Sequence, residues 1–140
     1  MDFITQEDFK VLVGDTAFKV ITQANDENRD NAVKEAQEEI SGYLRPKYDC
    51  AAVFSAEGDN RNRQVVMIAC DIALYHMISA APQKMGSDIR EERYKRAIGW
   101  LEGVQAGKIV PDLPLVTDSE GEPTNLPFRF GCQKKQRNNW

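Results

Sequence analysis

The sequence predicts a mainly all-α protein, a small bundle of about four helices followed by a long irregular C-terminal arm. Before residue 107, apolar residues recur at three- and four-residue intervals in separate segments, which is the spacing of amphipathic helices. One segment, from Gln64 to Ala81, is apolar almost all round, as in a helix buried at the centre of its domain. Beyond Pro111 this period stops and further prolines follow. The chain therefore continues as an arm, with room for a short strand or β-hairpin.

Size, composition and cysteine content narrow the class of protein. The 140 residues suit one helical domain, residues 1–110, with residues 111–140 as the arm, and a chain of this size folds without disulfides or a structural metal. No run reaches the ~18 apolar residues of a membrane span, and the acidic N-terminus does not resemble a signal peptide. The three cysteines are widely spaced and form no C-x-x-C pair. We therefore expect a protein made in a reducing cytosol.

The first helix is predicted from about Gln6 to Val13. Thr5 is a good N-cap residue, an acid follows it three positions later, and apolar residues then recur at helical spacing. Gly14 and Asp15 end this helix. The residues that follow, up to Ile21, suit either a second short helix or an extended segment.

The next predicted helix begins near Asp30, where Asp30 or a nearby Asn can cap it, and ends before Pro46. Its apolar stripe consists of Val33, Ala36, Ile40, Tyr43 and Leu44. Residues 49–63 are rich in Ala, Ser, Gly, Asp and Asn, and this composition predicts an irregular connection to the central helix.

The last predicted helix runs from about Asp88 to Ala106, after Pro82 has ended the central helix. At about 100° per residue, its apolar residues fall within one half-circle: Ile89, Tyr94, Ala97, Ile98, Trp100, Leu101 and Val104. Gly107 is expected to serve as the C-cap, and the charge of Lys108 complements the helix dipole.

Asp71 is the most informative polar residue, because it lies inside the most apolar helix. An unpaired carboxylate there would be costly, so a cationic partner is expected. Arg93 lies within the apolar half-circle of the last helix and is the first choice, with Arg45 as the second. We interpret the Asp71 and Arg93 pair as a structural ion pair rather than a functional site.

Several sequence patterns suggest a catalytic or ligand-binding site, but the spacing of their residues does not allow one. Cys70 and His76 lie six residues apart on one helix, about 240° round and ~9 Å along, so they cannot form a nucleophile and base. The same spacing opposes a zinc site built from the three cysteines and His76. Gly103–Lys108 has too few residues between its glycines for a phosphate loop, and no Ser or Thr follows.

Two acidic patterns resemble binding sites but have a simpler structural interpretation. Asp26–Asn31 partly follows the spacing of a calcium loop, but Asn31 replaces the turn glycine and Gln37 replaces the bidentate Glu, so a turn and N-cap cluster is favoured. The pairs Glu38–Glu39 and Glu91–Glu92 are expected on solvated helix faces. The sequence therefore predicts no metal, no cofactor and no catalytic residue.

The arm is chemically distinct from the body. Residues 124–140 carry four cations and no acid, and because the whole chain has a net charge of −4, residues 1–123 carry −8. Aromatic residues are interspersed among the cations in this segment. Its candidate partner-binding residues are Phe128, Arg129, Phe130, Lys134, Lys135, Arg137 and Trp140.

Four stretches of the sequence, Ile4–Phe9, Ala36–Tyr48, Ile68–Tyr75 and Arg93–Lys108, together resemble a known family. They are similar to the Mu-like prophage family of small helical proteins, which is grouped with the head-to-tail connector, or head-completion, proteins of tailed bacteriophages. The resemblance covers about residues 3–110 and matches packing and capping positions, Asp71 among them. The arm after Pro111 then extends beyond the family's usual end.

The resemblance implies a structural adaptor in the neck of the virion, made in the cytoplasm of the bacterial host. Such proteins form a ring, commonly of twelve copies, that docks beneath the portal, extends the DNA channel and offers the tail its attachment surface. The implied partners are further copies of the chain, the portal protein, the next neck or tail protein, and genomic DNA that passes through without sequence-specific contacts. No membrane partner is expected.

The basic C-terminal tail leaves an alternative open, a small nucleic-acid-binding or packaging accessory protein. Nucleic-acid binding should weaken steeply with salt and require the four cations, whereas docking of the arm should depend more on its aromatic residues. A metal-dependent hydrolase built on the Asp26 segment is the weakest alternative.

Overall fold

The computed structural model describes residues 3–22, 26–79 and 87–117. Within these ranges the chain forms six α-helices and one 3₁₀ turn, Gly58–Asn60. The helices are α1 (Gln6–Val13), α2 (Asp15–Thr22), α3 (Asp26–Leu44), α4 (Cys50–Ser55), α5 (Arg63–Ser79) and α6 (Ser87–Gln105). The mainly all-α fold predicted from the sequence is confirmed.

Helix α5 lies at the centre of the bundle and packs against α1, α2, α3 and α6. Most of its side chains are buried, and Ile72, Ala73 and Leu74 expose no surface. Fully burying a side chain of the size of Leu or Ile is worth about 1.5–3 kcal/mol relative to leaving it exposed. The prediction of a buried central helix is therefore confirmed.

Helices α3 and α6 flank α5 and also contact each other. The predicted stripe of α3 faces the core, since Ala36, Ile40 and Leu44 expose no surface. On α6, Ala97, Leu101 and Val104 are likewise buried. Ile89, predicted on the same face of α6, is instead 59% exposed. The position of a residue on a helical wheel gives the direction in which its side chain points. It does not show whether another part of the chain covers that end of the helix.

The N-terminal helices form as the capping signals predict. Thr5 caps α1, since its Oγ1 accepts a hydrogen bond from the Asp8 backbone N–H while Asp8 accepts one from the Thr5 N–H. The residues after Gly14, which suited either a helix or an extended segment, form α2. The rings of Phe9 and Phe18 stack with centroids 5.4 Å apart and join α1 to α2.

Two local predictions are wrong. Helix α3 already begins at Asp26, so Asp30, like Asn28 and Asn31, lies inside the helix rather than capping it. The connection 49–63 is less irregular than predicted, because it contains α4. The Asp49 carboxylate accepts a hydrogen bond from the Ala52 N–H at 3.1 Å, which begins this helix, and Val53 is buried.

The end of α6 has the predicted glycine cap. Gly107 adopts φ +81°, and its N–H donates to the Val104 carbonyl while the Lys108 N–H donates to that of Gly103. This pair of bonds is a Schellman motif. Ile109 then folds back against Gly103, where an added Cβ would lie 2.6 Å from the Ile109 Cδ1.

The first part of the arm is held against the body. The Asp49 N–H donates to the Pro114 carbonyl at 2.9 Å, and the Val116 N–H donates to the Lys47 carbonyl at 3.0 Å. These bonds flank an isolated antiparallel bridge between Tyr48 and Leu115. The described residues contain no strand. Most of the arm, residues 118–140, in which the sequence left room for a strand or hairpin, lies outside the described residues.

Candidate functional site

The clearest charged cluster is built on Asp71 of α5, whose side chain is only 5% exposed. The Arg93 guanidinium on α6 donates from Nε to Asp71 Oδ1 at 2.7 Å and from Nη2 to Oδ2 at 3.1 Å. The hydrogen bond to Asp71 raises the pKa of Arg93. This is the first-choice pairing of the sequence analysis. Arg45, the second choice, pairs with Glu38 on the surface instead.

A second guanidinium, which the sequence analysis missed, approaches the same carboxylate. Arg90 Nη1 lies 3.8 Å from Asp71 Oδ1, and the Arg90 side chain is only 11% exposed. Within the described part of the chain this buried Nη1 has no hydrogen-bond partner. Burial lowers the pKa of Arg90, while Asp71 acts in the opposite direction. A guanidinium remains protonated at neutral pH all the same, so the three groups carry a net charge of +1.

A groove of about 330 Å³ opens between α5 and α6 beside this cluster. We call it the arginine groove. Its lining includes Gln64, Met67, Ile68, Asp71, Arg93, Arg96, Ala97 and Trp100. Arg96 is well exposed and forms an i,i+4 pair with Glu92, at 3.5 Å. The groove therefore combines an apolar floor with guanidinium groups at its wall.

A second ion pair joins the N-terminal segment to the loop before α5. Arg61 Nη1 donates to Asp8 Oδ2 at 2.6 Å and to the Phe3 carbonyl at 2.7 Å, and both charged side chains are mostly buried. Burial alone would raise the pKa of Asp8, but hydrogen bonds from Arg61 and Thr5 outweigh it and hold the pKa below its usual value. This contact fixes the N-terminus on the bundle.

A third polar cluster links α3, α5 and α6. Glu39 Oε1 lies 3.1 Å from His76 Nε2, and Glu39 Oε2 accepts a hydrogen bond from the Tyr94 hydroxyl at 2.6 Å. The ring of Tyr94 stacks on that of Tyr75, with centroids 4.1 Å apart. Burial, followed by the hydrogen bond to Glu39, raises the pKa of Tyr94. The prediction that Glu39 lies on a solvated face is wrong, because this side chain is turned toward the two neighbouring helices.

The other acidic side chains of those predicted pairs do face solvent. Glu38 is exposed, and Glu91 and Glu92 form exposed i,i+4 pairs with Lys95 and Arg96. Pairs of this kind contribute about 0.2–0.5 kcal/mol each to a helix. They do not form a binding site by themselves.

The cysteine and glycine patterns rejected in the sequence occupy structural positions. Cys70 is buried in the core, and burial raises the pKa of its thiol, which opposes the reactive thiolate form. Cys50 is half-buried, and burial raises the pKa of its thiol as well. Gly103–Lys108 forms the C-terminal cap of α6.

The segment Asp26–Asn31 forms the first turns of α3 rather than a loop. A calcium loop needs a chain that wraps around the ion, whereas a helix directs successive side chains outward. Across residues 3–22, 26–79 and 87–117, no group of three or more His, Cys, Asp or Glu side chains is placed to hold a metal.

The candidate partner-binding residues lie outside the described residues: Phe128, Arg129, Phe130, Lys134, Lys135, Arg137 and Trp140. Their role stays a prediction. Arg90 carried a signal in the sequence, since it precedes Arg93 by three residues on the same helix face. Arg61 and Glu39 carried none, because their partners lie 53 and 37 or more residues away along the chain.

Comparison with known proteins adds one finding. The sequence model of one protein family, described as bacteriophage Mu, Gp36, matches residues 2–128. The match continues well past residue 110, so the expectation that the chain extends beyond the family's usual end after Pro111 is wrong for residues 111–128. This proline-rich part of the sequence has no helical period, so the pattern that carried the resemblance stopped before it. No curated protein and no solved structure matches the chain. None of the described helices is both long and apolar enough to span a membrane.

Proposed function

Because the chain belongs to the bacteriophage Mu Gp36 family, we propose that it is a structural head-to-tail connector of a tailed phage. In this role, copies of the chain form a ring beneath the portal in the neck of the virion. The ring extends the DNA channel and offers the tail an attachment surface. The proposal involves no catalytic step and no cofactor.

The observation that carries the proposal is the family match over residues 2–128, which makes this a phage protein. The sequence resemblance to connector proteins supplies the specific role. The fold is compatible with that role, because a small bundle with a fixed core is a unit that repeats readily around an axis.

The distribution of charge supports a passive channel rather than a DNA clamp. Residues 1–123 carry a net charge of −8, and a body of this sign does not grip a polyanion that slides through a ring. Aromatic residues are interspersed among the cations of residues 124–140, a composition suited to an arm that anchors on a protein surface. We infer that this arm docks on a neighbouring copy, on the portal, or on the next neck or tail protein.

Cosedimentation with portal-containing, DNA-filled, tailless particles tests the proposal. The purified chain and a variant lacking residues 126–140 would be compared at two salt concentrations, alongside free duplex DNA. We expect saturable binding to particles that is lost with the arm, and no binding to free DNA. Binding to free DNA without a preference for particles would reject the connector function in favour of a nucleic-acid-binding accessory protein.

Two further variants separate these functions within the arm. One replaces its four cations by Gln, and the other replaces Phe128, Phe130 and Trp140 by Ala. Docking on protein should depend more on the aromatic residues. Binding through four phosphate contacts should instead need the cations and weaken ~100-fold between 50 and 200 mM salt.

A further inference from the structure

We propose that the arginine groove receives the acidic segment Asp118–Glu122 of a second copy of this chain. The proposal rests on the ring assembly proposed above and goes further by naming the two surfaces that meet. It begins from the imbalance of charge at Asp71. Among the described residues that line the groove, Asp71 is the only carboxylate, whereas two guanidiniums line it and a third, that of Arg90, lies nearby.

Asp71 compensates the positive charge of Arg93 well and that of Arg90 poorly. Both of its oxygens accept hydrogen bonds from Arg93, whereas Arg90 approaches only to 3.8 Å and has no hydrogen-bond partner for Nη1 among the described residues. The excess charge sits where water is largely excluded, so its field is less screened than that of a surface cation. A further carboxylate in the groove would reduce this imbalance.

Two guanidiniums that line the groove are accessible to a binding partner. Arg96 is 75% exposed and Arg93 is 30% exposed, so a partner can reach both guanidiniums. Guanidinium groups bind carboxylates through paired, charge-assisted hydrogen bonds. Trp100 and Met67 add apolar area beside them. The groove therefore fits a short acidic peptide segment.

This chain contains one such segment next to the end of the described arm. Asp118, Glu120 and Glu122 follow directly after Thr117, and no Lys or Arg occurs from Ile109 to Phe128. Ser119 and Gly121 between the acids are small and do not block close approach. Three carboxylates thus complement the positive charge of the groove.

The symmetry of a ring favours a second copy as the source of this segment. A closed ring needs two unlike surfaces on every copy, so that each copy joins the next head to tail. The arginine groove and the acidic segment are two such surfaces, one positive and one negative, and each copy carries both. A charge-complementary contact of this kind also fixes the register between neighbours.

A reciprocal charge exchange tests the proposal in the full chain by sedimentation equilibrium. Arg96→Glu should weaken self-association about tenfold, which corresponds to ~1.4 kcal/mol. Lys95→Glu is the matched control, because Lys95 is similarly exposed and similarly paired, with Glu91, but does not line the groove. Replacing Asp118, Glu120 and Glu122 together by Lys should weaken association as well, and combining this change with Arg96→Glu should restore it to within about threefold. Equal effects of Arg96→Glu and Lys95→Glu, or no restoration, would overturn the proposal.

A second measurement does not require a stable oligomer. Arg96→Lys places an amine in the groove, and a carbodiimide then joins it to any carboxylate in contact. In a mixture of ¹⁴N- and ¹⁵N-labelled chains, mass spectrometry should find mixed-isotope links from position 96 to residues 118–122, and none from Lys95. A chain that stays monomeric and forms no such link refutes the proposal.

The outcomes separate this proposal from the connector function. Saturable particle binding combined with a failed charge exchange rejects the groove contact alone. A successful exchange without any particle binding rejects the connector function alone. Binding of duplex DNA that Arg96→Glu abolishes and Lys95→Glu preserves would assign the groove to nucleic acid and overturn the proposal.

Discussion

At the scale of single residues, two guanidiniums approach the Asp71 carboxylate at unequal distances. Arg93 Nε donates to Asp71 Oδ1 at 2.7 Å, whereas Arg90 Nη1 lies 3.8 Å from the same oxygen. Because a carboxylate in an apolar helix requires a cation, the contact with Arg93 is the one on which this site mainly depends.

The Asp71 cluster predicts unequal losses of stability. Asp71→Asn leaves two guanidiniums in a low-dielectric site and should cost about 3–5 kcal/mol. Arg93→Met should cost less, about 1–3 kcal/mol, because Arg90 remains within reach of the carboxylate. Urea denaturation of both variants and of the double variant measures these losses. We expect the double variant to lose less than the two single losses combined. Additive losses would contradict a structural ion pair.

The Asp8 and Arg61 pair predicts a dependence of stability on pH. Because the folded-state pKa of Asp8 lies below its unfolded value of about 3.9, its stabilisation is complete above that value and is lost as pH falls through the folded pKa. Asp8→Asn should therefore cost about 2–3 kcal/mol near neutral pH, with the difference from the wild type shrinking below pH ~4. Urea titrations from pH 2 to 7 would measure it.

Glu7→Gln is the control for Asp8→Asn, since Glu7 is 80% exposed and pairs only loosely with Lys10. It should change stability little at any pH. If the Asp8→Asn loss were the same at pH 2 as at pH 7, its cause would be packing rather than charge.

At the scale of helices, apolar spacing predicted the helices that bury one face in the core. It did not predict a helix, or the start of a helix, that depends on local capping. Helix α4 has six residues and buries only Val53, so its sequence shows no apolar period. Its N-cap residue, Asp49, lies in a segment whose composition is typical of turns. The early start of α3 was missed for a similar reason. Asp and Asn suit caps and turns in general, and only neighbouring elements decide that they continue a helix here.

Alanine substitutions at two glycines of α6 should differ in their effect on stability. A Cβ added at Gly99 would meet no atom within 4 Å, so Gly99→Ala should stabilise the helix by about 0.5–1 kcal/mol. Gly103→Ala should be less favourable than Gly99→Ala by about 1 kcal/mol, because the new Cβ would lie 2.6 Å from the Ile109 Cδ1 and the Ile109 side chain must turn away. Thermal unfolding followed by circular dichroism distinguishes them.

Ile109→Val removes the crowded Cδ1 and should reduce the difference between the two alanine variants. If Gly103→Ala stabilised the helix as much as Gly99→Ala, the contact of Ile109 with the helix end would contribute nothing measurable to stability.

At the scale of the whole molecule, the helical body should fold without the distal arm. The buried core described here is built by side chains from Phe3 to Val104, so deleting residues 126–140 removes none of it. Circular dichroism at 222 nm should show an unchanged helical signal, with a melting temperature close to that of the full chain. Loss of the helical signal would mean that the arm belongs to the core.

Architecture was more predictable than polar detail at this scale. The buried central helix could be predicted because it is uniformly apolar, and Asp71 because it interrupts that pattern. The contacts of Glu39 with His76 and Tyr94 could not be predicted, since they depend on how three helices are rotated against each other. The composition of a segment is enough to predict that the segment is buried. The rotation of one helix against another depends on how the whole bundle packs.

The bridge between Tyr48 and Leu115 limits the distance at which the proposed docking of the arm could take place. Thr117 is the last described residue after this bridge, and Phe130 follows it by 13 residues. A stretch of 13 residues spans at most ~45 Å, so Phe130 can reach only sites within that distance of Thr117. For the proposed docking, a site within this radius would meet a high effective concentration of Phe130, and a site beyond it would meet none.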